Sequence, residues 1–382
     1  MDFIRKNYVE LIERMGITIT HQIADHIYSK SVIDLEEKDE IYCEKTGPKA
    51  ARKIIDLIQQ KGEKACRLFV DCLRVKDVFL FEDLLGRWGL LEGIQNLQNL
   101  EKLNLINIKM AEDDAKQLAE GVKHLQRLQE LHLAKLEGIG NGLRFIIDAA
   151  TSRDCCLKKM VLVNCCLTKE AVIILAENLR NANKLESLDL FENQLEEDAS
   201  GCVEKLIDKL RALPSLQTLM LPWGQNVKDS LSKLLDFLKN LPGLQKLGLQ
   251  SWHLTDKDLE LLSSSIQNGH LRDLQHLDLS ENCVSSQGWH RFLGALGMLK
   301  KLRVMDLSSK EGMQPEPRLI NDLGKLIFEL SALRRVGLQR WHLDKEYLKC
   351  LNKGNVVFGR EFQLLVSSDY IEEDETDEES HM

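Results

Sequence analysis

The sequence predicts an α plus α/β repeat protein: an N-terminal bundle of six short helices, then a solenoid with parallel strands on its concave side and helices on its convex side. Two observations predict it. A leucine phrase recurs nine times from Leu100 onward, and residues 1–86 instead place apolar residues at helical spacing. No apolar run in the 382 residues approaches the ~18 needed to span a bilayer, so we expect no membrane-spanning helix.

The repeated phrase consists of a leucine, two residues, Leu, Met or Val, one residue, and a final leucine. Its nine copies begin at Leu100, Leu128, Leu157, Leu185, Leu216, Leu244, Leu274, Leu302 and Leu333, at intervals of 28 to 31 residues. So steady a period identifies a leucine-rich-repeat array over residues 100–366. Positions within a repeat are counted below from this first leucine.

Each repeat has room for one strand and one helix. The leucines at positions four and six point inward along a short strand, and the apolar residues of 111–122, 171–179 and 231–238 are spaced as in helices. At position nine the chain turns away from the strand, and we call this turn the corner. Position nine carries Asn193, Asn282 or Cys165, whose side chains suit hydrogen bonding in the turn. The period is similar to the ribonuclease-inhibitor type of repeat. Residues 344–366 lack the phrase, and we expect them to cap the last repeat.

The first 86 residues show six amphipathic stretches that are separated by turn residues. They lie at residues 3–15, 17–28, 34–44, 48–60, 63–75 and 79–85. Pro48 suits a first helical turn and Gly62 suits a helix end. Six short helices in this length form a bundle with its own core.

The N-terminal phrases resemble a known family. Ile12-Glu13-Arg14-Met15-Gly16, Cys43-Glu44-Lys45, Ala50-Ala51-Arg52 and Leu80-Phe81-Glu82-Asp83-Leu84 resemble the caspase recruitment domain (CARD), a six-helix death fold, of the NLR-family CARD-containing inflammasome proteins of the Ipaf type. The repeats resemble the C-terminal array of the same family. The resemblance implies a CARD at residues 1–86, a linker at residues 87–99 and the repeats thereafter.

One departure from that family concerns nucleotide binding. The family places a NACHT nucleotide-binding module between the CARD and the repeats, whereas here only about a dozen residues separate them. The phosphate-binding motif GxxxxGK[ST] does not occur, and Gly324-Lys325 is followed by leucine within a predicted repeat helix. We therefore expect no nucleotide site, no cofactor and a form that lacks the central module.

Charge and cysteine content exclude further classes of function. Eight acids and no lysine or arginine occupy residues 367–382, and they account for nearly all of the net charge of −9. This tail is predicted to be disordered, and the near-neutral remainder shows no basic excess for nucleic acid. The ten cysteines match neither a zinc pattern nor a disulfide framework. We expect reduced, structural thiols, with Cys43 and Cys72 buried in the bundle, and no metal site.

The candidate site of the bundle is a set of charged helix faces. CARDs assemble by matching basic and acidic patches, and the resemblance favours Asp25 and Arg52 as opposite sides of one contact. The wider acidic set is Asp25, Glu36, Glu37, Asp39 and Glu40, and the basic set is Arg14, Arg52 and Lys53. Because both signs lie on one domain, the contact would be head-to-tail and could extend into a filament. The alternative is that these residues form ordinary solvated helix faces.

The candidate site of the array is its concave face. Strand positions that should be exposed carry both signs, which favours a protein partner. These residues are Lys102, Glu130, Lys159, Asp189, Lys246, Asp278, Asp306 and Arg335. Position seven is apolar in the first four repeats, at Ile106, Ala134, Val163 and Phe191, which indicates a docking patch or a surface covered by a loop. Trp252 and Trp341 should pack at corners, whereas Trp223 should be exposed.

These features predict a cytosolic innate-immune adaptor rather than an enzyme. The resemblance implies an inflammasome-type protein whose CARD forms homo-oligomers or filaments and binds an inflammatory caspase, a CARD adaptor or full-length NLR receptors, which leads to inflammatory cell death and defence against bacteria. No GxSxG or HExxH motif indicates catalysis. Two alternatives are open: a decoy that caps or sequesters CARD filaments, and a ribonuclease-inhibitor-like module that binds a protein through its repeats.

Overall fold

The computed structural model divides into two compact units, Met1–Gly93 and Ile94–Met382, which we call the bundle and the array. It describes residues 2–77, 80–81, 84, 94, 97–152, 155–195, 200–358 and 362–367. Most of the predicted tail at residues 367–382 and most of the predicted linker at residues 87–99 lie outside the described residues. Among the helices within these ranges, none combines the length and the apolar character needed to cross a bilayer.

The described part of the bundle contains six helices. They are α1 (Asp2–Lys6), α2 (Tyr8–Arg14), α3 (Ile17–Ser29), α4 (Leu35–Tyr42), α5 (Gly47–Lys61) and α6 (Glu63–Lys76). The first predicted helix is therefore split at Asn7, whose Nδ2 donates 2.9 Å to the Phe3 carbonyl and competes with the helical backbone. The last predicted helix, residues 79–85, lies mostly outside the described residues.

Helix α5 forms the centre of the bundle because one of its faces is entirely apolar. Ala50, Ala51, Ile54, Ile55 and Ile58 are all fully buried. Pro48 lies in the first turn of α5, and Gly62, at φ +94°, ends it, as the sequence predicts. Helix α4 differs, since Ile41 is its one fully buried residue in this unit.

The array confirms the predicted solenoid of strands and helices. One parallel sheet runs in chain order through β1 (Lys102–Ile106), β2 (Glu130–Ala134), β3 (Lys159–Val163), β4 (Ser187–Asp189), β5 (Thr218–Met220), β6 (Lys246–Gly248), β7 (His276–Asp278), β8 (Val304–Asp306), β9 (Arg335–Gly337) and β10 (Gln363–Leu365). Successive strands are joined by helices α7 (Glu112–Val122), α8 (Leu143–Ala150), α9 (Lys169–Asn178), α10 (Ser200–Lys209), α11 (Leu231–Leu238), α12 (Asp256–Gln267), α13 (Ser286–Leu296), α14 (Pro317–Glu329) and α15 (Lys345–Phe358).

The repeat period fixes the register of the sheet. Position four of each repeat pairs with position four of the next, as in Leu103 with Leu131 and Leu131 with Met160. The leucines of the phrase are consequently stacked and buried along the array, so each repeat covers the apolar side of its neighbour.

Polar side chains at position nine bind each repeat to the one before it. Asn193 is buried, donates to the Leu162 and Leu190 carbonyls and accepts from the backbone N–H of Cys165 at 2.9 Å. Asn282 makes the corresponding contacts: its side-chain amide donates to the carbonyl of Leu249 in the preceding repeat and to that of Leu279 in its own repeat. The corner role predicted for these asparagines is therefore correct.

Two tryptophans replace asparagine at this corner. Trp252 and Trp341 are fully buried, as the sequence predicts. The indole Nε1 of Trp341 donates 2.9 Å to the Leu307 carbonyl, which stands at position six of the preceding repeat, the same position that Asn193 contacts. The tryptophan thus supplies the same backbone contact and adds apolar volume.

The segment after the ninth phrase contains a strand that the sequence analysis did not predict. Strand β10 pairs with β9 through Leu364 and Val336, after helix α15. Glu361 stands where the first leucine of a phrase would be, which explains why the pattern is not recognisable there. The predicted cap is thus built on a tenth strand.

The ten cysteines are free thiols. Cys72 is buried as predicted, but the prediction for Cys43 is wrong, since this residue is exposed where α4 ends. Cys165 is buried and Cys166 is exposed, and both lie in the turn after β3 rather than on the strand itself.

Candidate functional site

Three ion pairs attach the polar helix α4 to its neighbours in the bundle. Lys38 Nζ lies 2.8 Å from Asp25 of α3, Lys53 of α5 lies 2.9 Å from Glu40, and Lys61 of α5 lies 2.6 Å from Glu37. Glu37 also completes a capping box with Asp34 at the start of α4. Because α4 buries so little apolar surface, these pairs are its main side-chain attachments to α3 and α5, although each contributes only about 0–1 kcal/mol.

The predicted acids are therefore not equivalent. Glu37 and Glu40 are engaged with α5, whereas Glu36 and Asp39 are exposed and have no ion pair within the described part of the chain. Glu36 and Asp39 are three residues apart, so they share one face of α4. This face is a free acidic surface among the described residues of the bundle.

The predicted basic residues also separate into paired and unpaired groups. Lys53 binds Glu40, and Arg14 lies 3.1 Å from Glu10 one turn earlier in α2. Arg52 is exposed and forms no ion pair or hydrogen bond among the described residues. The structure therefore leaves Arg52 as the available cation of the predicted set.

Asp25 lies beside an aromatic cluster. The Lys38 ammonium lies 5.0 Å from the centroid of the Tyr28 ring and 5.3 Å from that of Tyr42, and the Tyr42 ring stacks on His21 at 3.9 Å. Hydrogen bonding to Lys38 holds the pKa of Asp25 below its usual value, although the Asp25 side chain is still 52% exposed. Asp25 is thus a charged, half-exposed group that already has a partner.

Sequence reasoning did not single out His21, Tyr28, Lys38 or Tyr42. A signal for part of the cluster was present, because Lys38 and Tyr42 are four residues apart in the third predicted helix. The contribution of α3 could not be inferred, since it depends on how two helices pack.

On the concave face, defined here as the face of the sheet opposite the helices, the mixed charges fall into two columns. Position three carries Lys102, Glu130, Lys159, Lys246 and Arg335, and position five carries Asp189, Asp278 and Asp306. All five position-three residues are exposed or half-exposed. Since the register aligns equal positions across strands, four basic residues and Glu130, which pairs with Lys102, lie along one edge of the face, and the three aspartates lie along its middle.

The acids of position five are more buried than the sequence predicts. Asp278 is only 6% exposed, so its assignment as an exposed residue is wrong, and Asp189 and Asp306 are half-buried. Each of these three aspartates lies on a strand that has a neighbouring strand on both sides. One oxygen of Asp278 accepts from the backbone N–H of Ser280 at 2.9 Å and from its hydroxyl at 2.6 Å.

Burial has a clear electrostatic consequence for these acids. Desolvation raises the pKa of Asp278 to about 6, with the neighbouring Asp306 and Glu281 adding to the effect, and desolvation also raises the pKa of Asp189. Gly337 beside Asp306 leaves room for the Asp306 carboxylate, which lies 2.5 Å from where a Cβ at position 337 would be.

The apolar column at position seven is only partly exposed. Ile106 is 50% exposed, Val163 and Phe191 are half-buried, and Ala134 is buried. The predicted docking patch is consequently smaller than four side chains. Trp223 is half-buried rather than exposed, with its backbone bonded to that of Asn193.

Among the described residues, no group of three or more His, Cys, Asp or Glu side chains is arranged to hold a metal ion. Both surfaces expose charged side chains together with a few aromatic or aliphatic ones.

Comparison with known proteins agrees with this arrangement. A family model described as the caspase recruitment domain matches residues 1–87, and one described as the NLRC4 LRR domain matches residues 70–357. The two matches overlap at residues 70–87, so no separate module lies between them in this chain.

Curated relatives carry the same name in several vertebrates. NLR family CARD domain-containing protein 4 is 42% identical over 263 residues in Bos taurus, 43% over 256 in Mus musculus and 37% over 274 in Xenopus tropicalis. These alignments cover 69%, 67% and 71% of this chain but only 26%, 25% and 27% of the relatives. The chain thus spans about a quarter of their length. With most of its residues matched by one family model, the chain belongs to the NLRC4 LRR domain family and carries a caspase recruitment domain at its N-terminal end.

Proposed function

We propose that this chain is a cytosolic adaptor of the inflammasome type, which binds other CARD proteins, including an inflammatory caspase, and brings the caspase copies together for activation. The observation that carries the proposal is a CARD with an unpaired acidic face on α4 and an unpaired cation on α5. Inflammatory cell death and defence against bacteria would follow from caspase activation. The adaptor itself catalyses no reaction.

The acidic face of α4 and the cation Arg52 lie on different sides of α5. Lys53 and Lys61 lie on the side of α5 that contacts α4, whereas Asp56, one turn from Arg52, accepts a 2.7 Å hydrogen bond from Tyr8 of α2. Arg52 therefore lies on the α2 side of the helix. Opposite charges on different sides of one bundle favour a head-to-tail contact, and such contacts extend into filaments when they do not close.

In this contact the basic side consists of Arg52, and the acidic side consists of Glu36 and Asp39 together with Asp25, which already has Lys38 as a partner. Glu37 and Glu40 contribute less because α5 of the same bundle neutralises them. Single exposed ion pairs contribute about 0–1 kcal/mol each, so Arg52 must interact with more than one of these acids at once.

The test is charge reversal of Arg52 in the full chain. Arg52→Glu places an acid opposite the acidic face of the next copy, and we expect the concentration needed for assembly, measured by light scattering, to rise by at least about tenfold. Binding to a caspase CARD should weaken in parallel. The matched control is Lys64→Glu, which changes an exposed lysine of α6 that has no ion pair among the described residues and should leave assembly unchanged. Assembly and caspase binding that persist in folded Arg52→Glu would show that this interface is wrong.

A second candidate, a decoy that caps CARD filaments, is favoured by the overlap of the two family matches at residues 70–87. Without a nucleotide-driven module of its own, such a chain would join filaments without starting them. A dose series separates the two functions: an activator raises caspase cleavage as its expression rises, and a decoy lowers the cleavage that a full-length receptor drives.

A further inference from the structure

Asp25 of α3 and Lys38 of α4 form an ion pair within the bundle. Asp25 is the acid that the sequence analysis pairs with Arg52 of a second copy, yet it already has a cation 2.8 Å away. We propose that Lys38 occupies the position of the incoming cation at Asp25 and thereby sets the concentration at which copies of this chain assemble. This inference rests on the proposed function, because it requires that CARD–CARD assembly occurs.

The side chains around the Lys38 ammonium group form a binding site for a cation. Its ammonium group lies between the rings of Tyr28 and Tyr42 and against the Asp25 carboxylate, and its side chain is only 23% exposed. Stacking on His21 at an interplanar angle of 11° holds the Tyr42 ring in place. Negative charge and aromatic faces together favour a cation, and a planar guanidinium, which stacks on aromatic rings and pairs with carboxylates, also suits such a site.

The same surface remains open to a second molecule. Tyr28 is 38% exposed, Tyr42 is 39% exposed and Leu35, at the start of α4, is 56% exposed. Exposed tyrosines beside a carboxylate are typical of protein contacts. An arginine of a second copy would therefore meet a formed site, but it would have to compete with a lysine that is attached to the same bundle.

The competition predicts a gain of assembly when Lys38 loses its charge. Lys38→Gln in the full chain leaves Asp25 without a cation, so the concentration needed for assembly should fall roughly two- to fivefold, the range expected for one exposed ion pair. Lys38→Arg, which keeps a cation at Asp25, should behave like the unchanged chain. The gain should disappear at about 0.5 M salt, where exposed charges are screened.

Two controls separate this effect from a general change of charge or stability. Lys30→Gln removes the same charge from an exposed lysine that has no ion pair within the described residues, and it should have no effect. Asp25→Asn should change assembly little on its own but abolish the gain in the Lys38→Gln background. Far-ultraviolet circular dichroism verifies that each variant is folded.

The concentration needed for assembly of the Lys38→Gln variant decides for or against the inference. An unchanged or raised assembly concentration in folded Lys38→Gln overturns the inference. If that variant does not fold, Asp25→Asn alone still decides, because a loss of assembly as large as that of Arg52→Glu would mean that Asp25 is not masked. Failure of the unchanged chain to assemble at any concentration would instead contradict the proposed function.

Discussion

The bundle and the array use polar side chains in opposite ways. In the array, Asn193 and Asn282 are buried and bind backbone groups of their own and the preceding repeat. In the bundle, Lys38, Lys53 and Lys61 form ion pairs that are at least partly open to solvent. Buried backbone contacts are costly to break, whereas exposed ion pairs can be exchanged for equivalent pairs with another molecule. The difference indicates that the array provides stability and the bundle provides exchangeable contacts.

The largest effect is expected from the corner of the fourth repeat. Asn193→Ala removes hydrogen bonds to buried backbone groups on both sides of the interface between repeats three and four, and we expect a loss of about 2–4 kcal/mol in the free energy of unfolding. Urea denaturation followed by circular dichroism measures it. Asn268→Ala, at an exposed helix end, is the control. A loss as small as that of the control would mean that the corner does not couple the repeats.

The next effect is a dependence of stability on pH that belongs to the array. Burial raises the pKa of Asp278 to about 6, above its value of about 4 in an unfolded chain, so folding disfavours the charged form. Stability should therefore fall as pH rises from about 4 to about 6, by roughly 1–3 kcal/mol in total.

Asp278→Asn should remove this dependence and raise stability at neutral pH, since the amide oxygen can still accept from the N–H of Ser280. Unfolding free energies at pH 4 and pH 7.5 make the comparison, and Asp229→Asn, at an exposed position, serves as the control. An equal pH dependence in the unchanged chain and in Asp278→Asn would show that Asp278 is not its source.

A smaller effect is expected where tryptophan replaces asparagine. Trp341→Phe keeps most of the apolar volume but loses the donor to the Leu307 carbonyl, which should cost about 1–2 kcal/mol. Trp341→Leu, which also loses volume, should cost more. If Trp341→Phe unfolds at the same urea concentration as the unchanged chain, the tryptophan acts by volume alone.

These regions also differ in how much of them the sequence could predict. Periodicity identifies nine strands and the corner asparagines, because every repeat offers the same pattern and errors in one copy are corrected by the others. It could not show that Asp278 is buried, since the depth of a strand position depends on the side chains of adjacent strands, here Gly248 and Asp306. It missed β10 because Glu361 replaces the first leucine of the phrase.

In the bundle, the helices were predicted more accurately than the state of their charges. Helical spacing shows that Glu37 and Glu40 lie one turn apart, but only the packing of α4 on α5 shows that both are paired with lysines. The same packing decides that Arg52 is free while the next residue, Lys53, is not. Which charges can bind a partner is thus a tertiary property.

The smallest effect is expected from the ion pair between Glu40 and Lys53. Lys53→Met removes one attachment of α4 and should lower the stability of the bundle by only about 0–1 kcal/mol, because both side chains are about half exposed. It also frees Glu40 beside the acidic face, so the concentration needed for assembly should fall slightly while stability is nearly unchanged. Light scattering and thermal unfolding on the same samples separate the two quantities. A loss of several kcal/mol would contradict the contrast between the two units, since it would mean that an exposed pair is as important to the bundle as a buried asparagine is to the array.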